Sequence, residues 1–197
     1  IRETAGVQKN ISLKKAWNLM QDNTVVTLPA VTEDNILEGL ITVGDITRSY
    51  MNVYDSSILS KACTQYSNIL ETLEGALVVG DENAYFDQGK VLVAAANPDM
   101  MEYYIEKNDL VILGNRYESQ LCAIEMEASC IIVCEGAGVS MTIKKLAQER
   151  GCTVLTTPYD TYTAARLINQ SMPISYFMTK DNLITFGTDD FIDDIRD

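Results

Sequence analysis

Histidine is absent from the sequence. With it go the usual general base, the Ser-His and Cys-His nucleophile pairs and the commonest metal ligand. Basic residues are scarce too: 15 Lys and Arg against 28 Asp and Glu leave a formal charge of -13, which argues against a surface that releases counterions from a nucleic-acid backbone. A single nucleotide is a different partner, because helix ends and one or two cations can hold its phosphate within an acidic protein. Long apolar runs are also missing. Ala76–Val79 and Cys130–Cys134 are among the longest, far short of the roughly 20 residues that span a bilayer, and the opening residues do not read as a secretory leader. The five cysteines, at 63, 122, 130, 134 and 152, contain no C-x-x-C pair. Four fall in apolar segments, and Cys130 and Cys134, four apart on one apparent strand, face the same way. They read as buried free thiols in a reducing, cytoplasmic compartment rather than as a metal site. Neither the G-x-x-x-x-G-K-[ST] loop nor the G-x-G-x-x-G fingerprint occurs.

What is present is an ordinary globular composition, 47% apolar and 22% charged over 197 residues, enough for one or two domains. The abrupt start at Ile1 and the stop at Asp197, inside a helical pattern, read as a piece of a longer protein. The most informative stretch is Leu37–Thr47. Leu40, Ile41 and Val43 suit a covered strand, Gly39 permits close backbone approach, and Gly44-Asp45 marks a helix start. A phosphate can sit at such a helix end, with Thr42 adding a hydroxyl and Asp45 accepting from a ribose diol. Asp45 serves equally as a plain helix cap.

Around that stretch the chain follows a rhythm. An extended Ile1–Asn10 leads to a helix over Ser12–Asp22, capped by Ser12, with Leu13, Ala16, Trp17 and Met20 as its core stripe. A β-type segment, Thr24–Val31, follows, with Pro29 confining it to an edge or terminal position. A second helix, 45–54, runs into another helical stretch ending near Leu73. From Gly75 the rhythm changes: Ala76–Val79 and Val91–Ala95 read as strands around a polar turn, and strand and helix then alternate three times, closing at Gln170. That alternation predicts parallel strands, right-handed crossovers and helices on the sheet faces, a doubly wound α/β domain. Its carboxyl-end loops hold Arg116, Glu135–Ser140 and Thr156–Thr161, where Ser140 and Asp160 read as helix caps in preference to catalytic groups. After Pro173 the first rhythm returns: a short strand at Leu183–Phe186 and a helix opening at Gly187–Asp190, with Phe191, Ile192 and Ile195 apolar. Asp181, Asp189, Asp190, Asp193, Asp194 and Asp197 make this end acidic, as a solvated face would be.

Residues 12–47, ending in Gly39-Leu-Ile-Thr-Val-Gly-Asp-Ile, resemble a cystathionine-β-synthase (CBS) domain, whose adenosine signature is G-h-h-T-x-x-D. The middle resembles a DRTGG domain through Gly114-Asn-Arg-Tyr-Glu-Ser-Gln, Glu135-Gly-Ala-Gly and Thr157-Pro-Tyr-Asp-Thr-Tyr. Asn115 and Glu135-Gly-Ala-Gly depart from its name-giving motif. Met178-Thr-Lys-Asp resembles the start of a second CBS domain. The expected architecture is therefore a Bateman-type CBS module interrupted by the α/β domain: a first CBS domain over 1–60, a helical linker over 61–74, a DRTGG domain over 75–172, and a truncated second CBS copy over 173–197.

This order resembles the regulatory insert of family II inorganic pyrophosphatases. The resemblance implies a regulatory region, not an enzyme in itself, attached to catalytic domains that use Mn or Co and an Asp-His-His constellation. It implies AMP and ADP as inhibitors, ATP or diadenosine polyphosphates as activators, and homodimerisation through CBS and DRTGG domains. Thr42, Gly44 and Asp45 would meet ribose and phosphate. Val26, Thr27, Leu28 and Pro29 would form the adenine slot, and Ala5, Gly6, Val7, Met178, Thr179 and Lys180 would form its walls, with Lys180 as a phosphate cation or an ordinary exposed lysine. A purely structural dimerisation module and a transferase fragment such as phosphate acetyltransferase remain the alternatives.

Overall fold

The structure, a computed structural model, describes residues 5–51, 55–187 and 189. Helix α1 (Leu13–Asn23) starts where expected: the Ser12 hydroxyl accepts the Lys15 N–H at 3.0 Å, and Thr24, left-handed at φ 53, ends the helix. Leu13, Ala16 and Met20 are buried, but Trp17 is 39% exposed. At 100° per residue Trp17 lies about 70° off the centre of that stripe, where an indole can rest against the border of the core.

The hairpin β1 (Thr27–Val31) and β2 (Leu37–Thr42) turns Leu28, Ala30 and Ile41 into the core with α1, sets Gly39 against Met178, and leaves Thr27, Pro29, Leu40 and Thr42 half-buried on the opposite face. Pro29 stands opposite Leu40, whose own N–H and C=O turn outward to Thr179, so the hairpin lacks nothing where proline has no N–H. On the other side of β1, the Val7 N–H donates to Pro29 and the Val31 N–H donates to Val7. Helix α2 (Val43–Met51) grows directly out of β2; residues 52–54, expected to extend it, lie outside the described residues.

The helical stretch expected through Leu73 divides into α3 (Ile58–Lys61), strand β3 (Thr64–Gln65) and α4 (Tyr66–Thr72). Cys63 breaks it by adopting φ 54. Strand β3 then pairs with β5 (Tyr85–Phe86), which follows β4 (Ala76–Val79) in the chain. The segment expected as a polar turn therefore carries a strand anchored by Phe86, 1% exposed.

The main sheet comprises β4, β6 (Val91–Val93), β7 (Leu110–Leu113), β8 (Cys130–Val133) and β9 (Thr153–Thr156), in the spatial order β4-β9-β8-β7-β6. Strands β6 to β9 are parallel, as the alternation predicts, while β4 adds antiparallel to β9. On one face, Val111, Leu113, Ile131, Val133 and Val154 pack with α5 (Pro98–Met101), α6 (Tyr117–Glu125) and α7 (Met141–Arg150). On the other, Leu110, Ile112, Cys130, Ile132 and Leu155 pack with α8 (Thr161–Leu167), α4 and α1 in a core that continues to Leu28, Ile41 and Ile46 of the hairpin unit. The parallel strands follow one another in chain order. No reversal opens a crevice between their carboxyl-end loops.

After α8, two 3-10 turns, Ile168–Ser171 and Ile174–Tyr176, bring the chain back to its beginning. The Leu13 N–H donates to Met172, and those of Ile174 and Ser175 donate to Ile11 and Lys9. Leu183–Phe186, expected as a strand, is irregular, and Ile184 is 79% exposed. Of the helix expected from Gly187–Asp190 onward, Gly187 and Asp189 are described and not helical, and residues 188 and 190–197, with Phe191, Ile192, Ile195 and the acids Asp190, Asp193, Asp194 and Asp197, lie outside the described residues.

All five cysteines are free; Cys63 is exposed and the other four are buried. Removal from water pushes the thiols of Cys134 and Cys152 up to about 12 and raises that of Cys130. These folded-state values lie above the ordinary 9.0. The neutral thiols therefore favour the fold fully below about pH 9, and that support is lost as the pH climbs towards 12. Iodoacetamide at pH 8 should add one carbamidomethyl group to the native chain, at Cys63, and five after denaturation, read by mass spectrometry. The melting temperature should fall as the pH rises above 9.

Candidate functional site

The carboxyl end of β2 and the first turn of α2 form one hydrogen-bonded unit. Thr42 occupies the cap and Asp45 the third helical position. The Asp45 N–H donates to Thr42 Oγ1 at 3.1 Å, while the Thr42 N–H and hydroxyl donate to Asp45 Oδ2 at 3.0 and 2.7 Å. This is a reciprocal capping box, with Asp in the place usually taken by Glu. Both readings of Asp45 thus meet in one side chain. Its Oδ2 is committed to the cap, and its Oδ1 faces Arg48 Nη1 at 3.7 Å, beyond hydrogen-bond distance. A cleft of about 90 Å3 opens beside it, lined by Asp45, Arg48, Ser49, Ile58 and Phe177.

The other expected residues fall into three groups. Thr27 is paired directly with Thr42, and the Val43 N–H donates to Val26, so Val26, Thr27, Thr42 and exposed Gly44 gather at the open end of the hairpin. Pro29 lies farther along the same outward face. Leu28 does not join them: strand alternation turns it into the core at 2% exposure, which removes it from a slot on that face. Val7 flanks β1 and Thr179 flanks β2, so the expected walls lie on opposite edges of the hairpin, with Ala5 and Gly6 exposed beyond Val7 and Lys180 exposed beyond Thr179. Met178 is mostly buried, and a Cβ on Gly39 would come within 2.8 Å of its sulfur and of the Thr179 carbonyl oxygen. That close approach is the use of Gly39 that the sequence suggests.

Sequence reasoning missed Arg48, Ser49, Ile58 and Phe177. The three-residue spacing from Asp45 could have found Arg48, since such pairs share a helix face. Ile58 and Phe177 arrive only through tertiary folding. The carboxyl-end loops of the sheet give no comparable arrangement. Ser140 caps α7 by accepting the Ile143 N–H at 3.3 Å, and Asp160 caps α8 by accepting the Thr163 N–H at 2.8 Å. The bond from the Thr163 N–H, with one from the Thr163 hydroxyl, holds the Asp160 carboxyl below its usual range. Arg116 stands exposed at the start of α6. Among the described residues, no group of three or more Cys, Asp or Glu could hold a metal ion, and no helix is long and apolar enough to cross a membrane.

The family model of the CBS domain matches residues 3–52, and that of the DRTGG domain matches residues 68–171. The chain is 41% identical over 193 residues to the cobalt-dependent inorganic pyrophosphatase of Clostridium perfringens, covering 98% of this chain and 35% of that protein. It is 27% identical over 162 residues to the probable manganese-dependent inorganic pyrophosphatase of Thermotoga maritima, covering 82% and 29% respectively. The chain thus spans about a third of the length of these curated relatives. Among solved structures it matches the CBS and DRTGG domains of the regulatory region of the Clostridium perfringens pyrophosphatase, complexed with the activator diadenosine tetraphosphate. The TM-score is 0.94 at 40% identity, covering 100% of this chain and 85% of that one.

The capping box makes a prediction independent of any ligand. Thr42→Ala should cost about 1 kcal/mol, lowering the melting temperature by about 2–4 °C in a chain of this size, whereas Thr42→Ser should restore most of it. An unchanged melting temperature in the alanine variant, measured by calorimetry, would show that the box contributes nothing to the fold.

Proposed function

Because the chain belongs to the family of CBS- and DRTGG-domain regulatory regions of inorganic pyrophosphatases, we propose that it binds adenine nucleotides at the Thr42–Asp45 end of its hairpin and thereby regulates a pyrophosphatase of which it is part. The observation that carries this reading is the Asp45 carboxylate: one oxygen is fixed by the cap, which leaves the other, 3.7 Å from Arg48 beside the cleft, as the proposed acceptor for a ribose diol. Thr27 and Pro29, with exposed Val26, offer the adjoining apolar face to an adenine. Lys180 and Thr179 border it from the β2 side.

Diadenosine tetraphosphate, the activator in the Clostridium perfringens structure, is the ligand proposed here for activation, with ATP as a second activator and AMP and ADP as inhibitors. Hydrolysis belongs to catalytic domains elsewhere in the parent, with the cobalt or manganese named for the relatives; a sequence without His cannot itself supply an Asp-His-His set. In this reading residues up to about 60 form the first CBS unit, 75–172 the DRTGG unit, and those from 173 the beginning of a second CBS unit, in a cytoplasmic homodimer that joins through both domain types. A ligand regulates only through unequal affinity for two arrangements of such a dimer, and coupling of about 1–3 kcal/mol is the usual scale.

Calorimetric titration with diadenosine tetraphosphate and with AMP tests the proposal. Asp45→Asn keeps an acceptor for the cap but removes the charge, and should weaken both ligands about 10- to 150-fold. Equal affinity in the variant would remove Asp45 from the site. Absence of binding to the unmodified chain at millimolar ligand would leave a structural dimerisation module as the better description.

A further inference from the structure

An acidic chain that receives an anionic ligand needs a local cation, since a net charge of -13 repels nucleotides at a distance. Several lysines near the hairpin unit are already engaged. Lys9 is paired with Glu38 at 2.6 Å, Lys61 with Asp55, and Lys14 donates to the Thr72 carbonyl. Arg48 is different. Its side chain is 72% exposed, and among the described residues its ion-pair partner, Asp45 Oδ1, stays at 3.7 Å, so that pair is not locked by a hydrogen bond. It lines the small cleft with Ser49, Ile58 and Phe177. At about 90 Å3 that cleft has room for several waters or one phosphoryl group.

We propose that Arg48 is the phosphate-reading residue of the nucleotide site and that it exchanges partners when ligand binds. In the free chain it faces Asp45. In the complex the ribose diol takes Asp45 Oδ1 while Arg48 turns its planar fork to the phosphate, where two parallel N–H···O bonds suit guanidinium better than ammonium. Asp45 and Arg48 lie on one helix face, about one turn or 5 Å apart along the axis. A 5′-phosphate is likewise separated from the 2′,3′-diol by one sugar ring, so one ligand can satisfy both residues. The exchange leaves each charge with a partner throughout. It also makes Arg48 a determinant of specificity, separating phosphorylated adenosines from adenosine. This inference deepens the nucleotide-sensing reading and rests on it.

Adenosine, AMP and diadenosine tetraphosphate titrated against the 197-residue chain and its Arg48→Gln, Arg48→Lys and Lys180→Gln variants test it, with melting temperatures reporting that each variant is folded. Arg48→Gln should weaken the two phosphorylated ligands about 10- to 150-fold and adenosine less than about 3-fold. Arg48→Lys should recover part of the loss, and Lys180→Gln should cost less than Arg48→Gln. Equal losses for adenosine and AMP would reduce Arg48 to a prop for Asp45 and overturn the proposal, as would unchanged binding or a phosphate-selective loss in Lys180→Gln instead. Failure of the unmodified chain to bind all three ligands would overturn the nucleotide reading as well, so the two failures are distinct.

Discussion

Two hydrogen bonds, from Leu40 to Thr179 and from Thr179 back to Leu40, both 2.9 Å, fasten the returning chain to the signature strand. Much of the arrangement depends on that contact. It requires a residue without a side chain at position 39, since any Cβ there would press on the Thr179 carbonyl. It buries Met178 and places Phe177 beside Asp45 and Arg48, so the cleft has walls from both ends of the chain. Upstream, the segment of the two 3-10 turns binds residues 9–13, and the first turn packs on α4 and α8. The strand that ends in the candidate ligand groups is thereby tied to a helix lying on the main sheet, and one apolar core runs without interruption from Ile46 to Ile132.

In the proposed site, Thr42 and Asp45 would serve as ligand residues while they already hold the start of α2. The three bonds of the capping box fix the carboxylate before any ligand arrives, so little side-chain freedom is left to lose on binding. The same bonds complicate mutagenesis. A truncation at either position removes helix support along with the proposed ligand contact, which is why a substitution that preserves the acceptor is more informative than alanine.

Features written in local residue order were legible in the sequence: the Ser12 cap, the β2-to-α2 transition at Thr42–Asp45, and the parallel strands β7, β8 and β9 with their intervening helices. Features decided by distant partners were not. Trp17 keeps helical spacing with its buried neighbours yet sits outside the core, because spacing gives a direction but not the width of what covers it. Leu28 is as apolar as a slot requires, but strand alternation sends it inward. The break at Cys63 and the β3–β5 pairing depend on Phe86 finding the core, which no helical pattern over 55–73 could disclose. The cleft itself joins α2, α3 and the segment after Pro173, three parts of the chain that only the fold brings together.

The antiparallel edge has a consequence for synthesis. Strand β4 rests on β9, and the contact between Ala76 and Thr156 spans 80 residues of chain. Strands β6 to β9 can each add to the one made just before, but β4 leaves the ribosome first and its partner last. At about 5–20 residues per second the interval is roughly 4–16 s. For that time Ala76-Leu77-Val78-Val79 is an apolar strand with no neighbour. The nascent chain, more than the finished one, is where this protein is exposed to edge-to-edge aggregation.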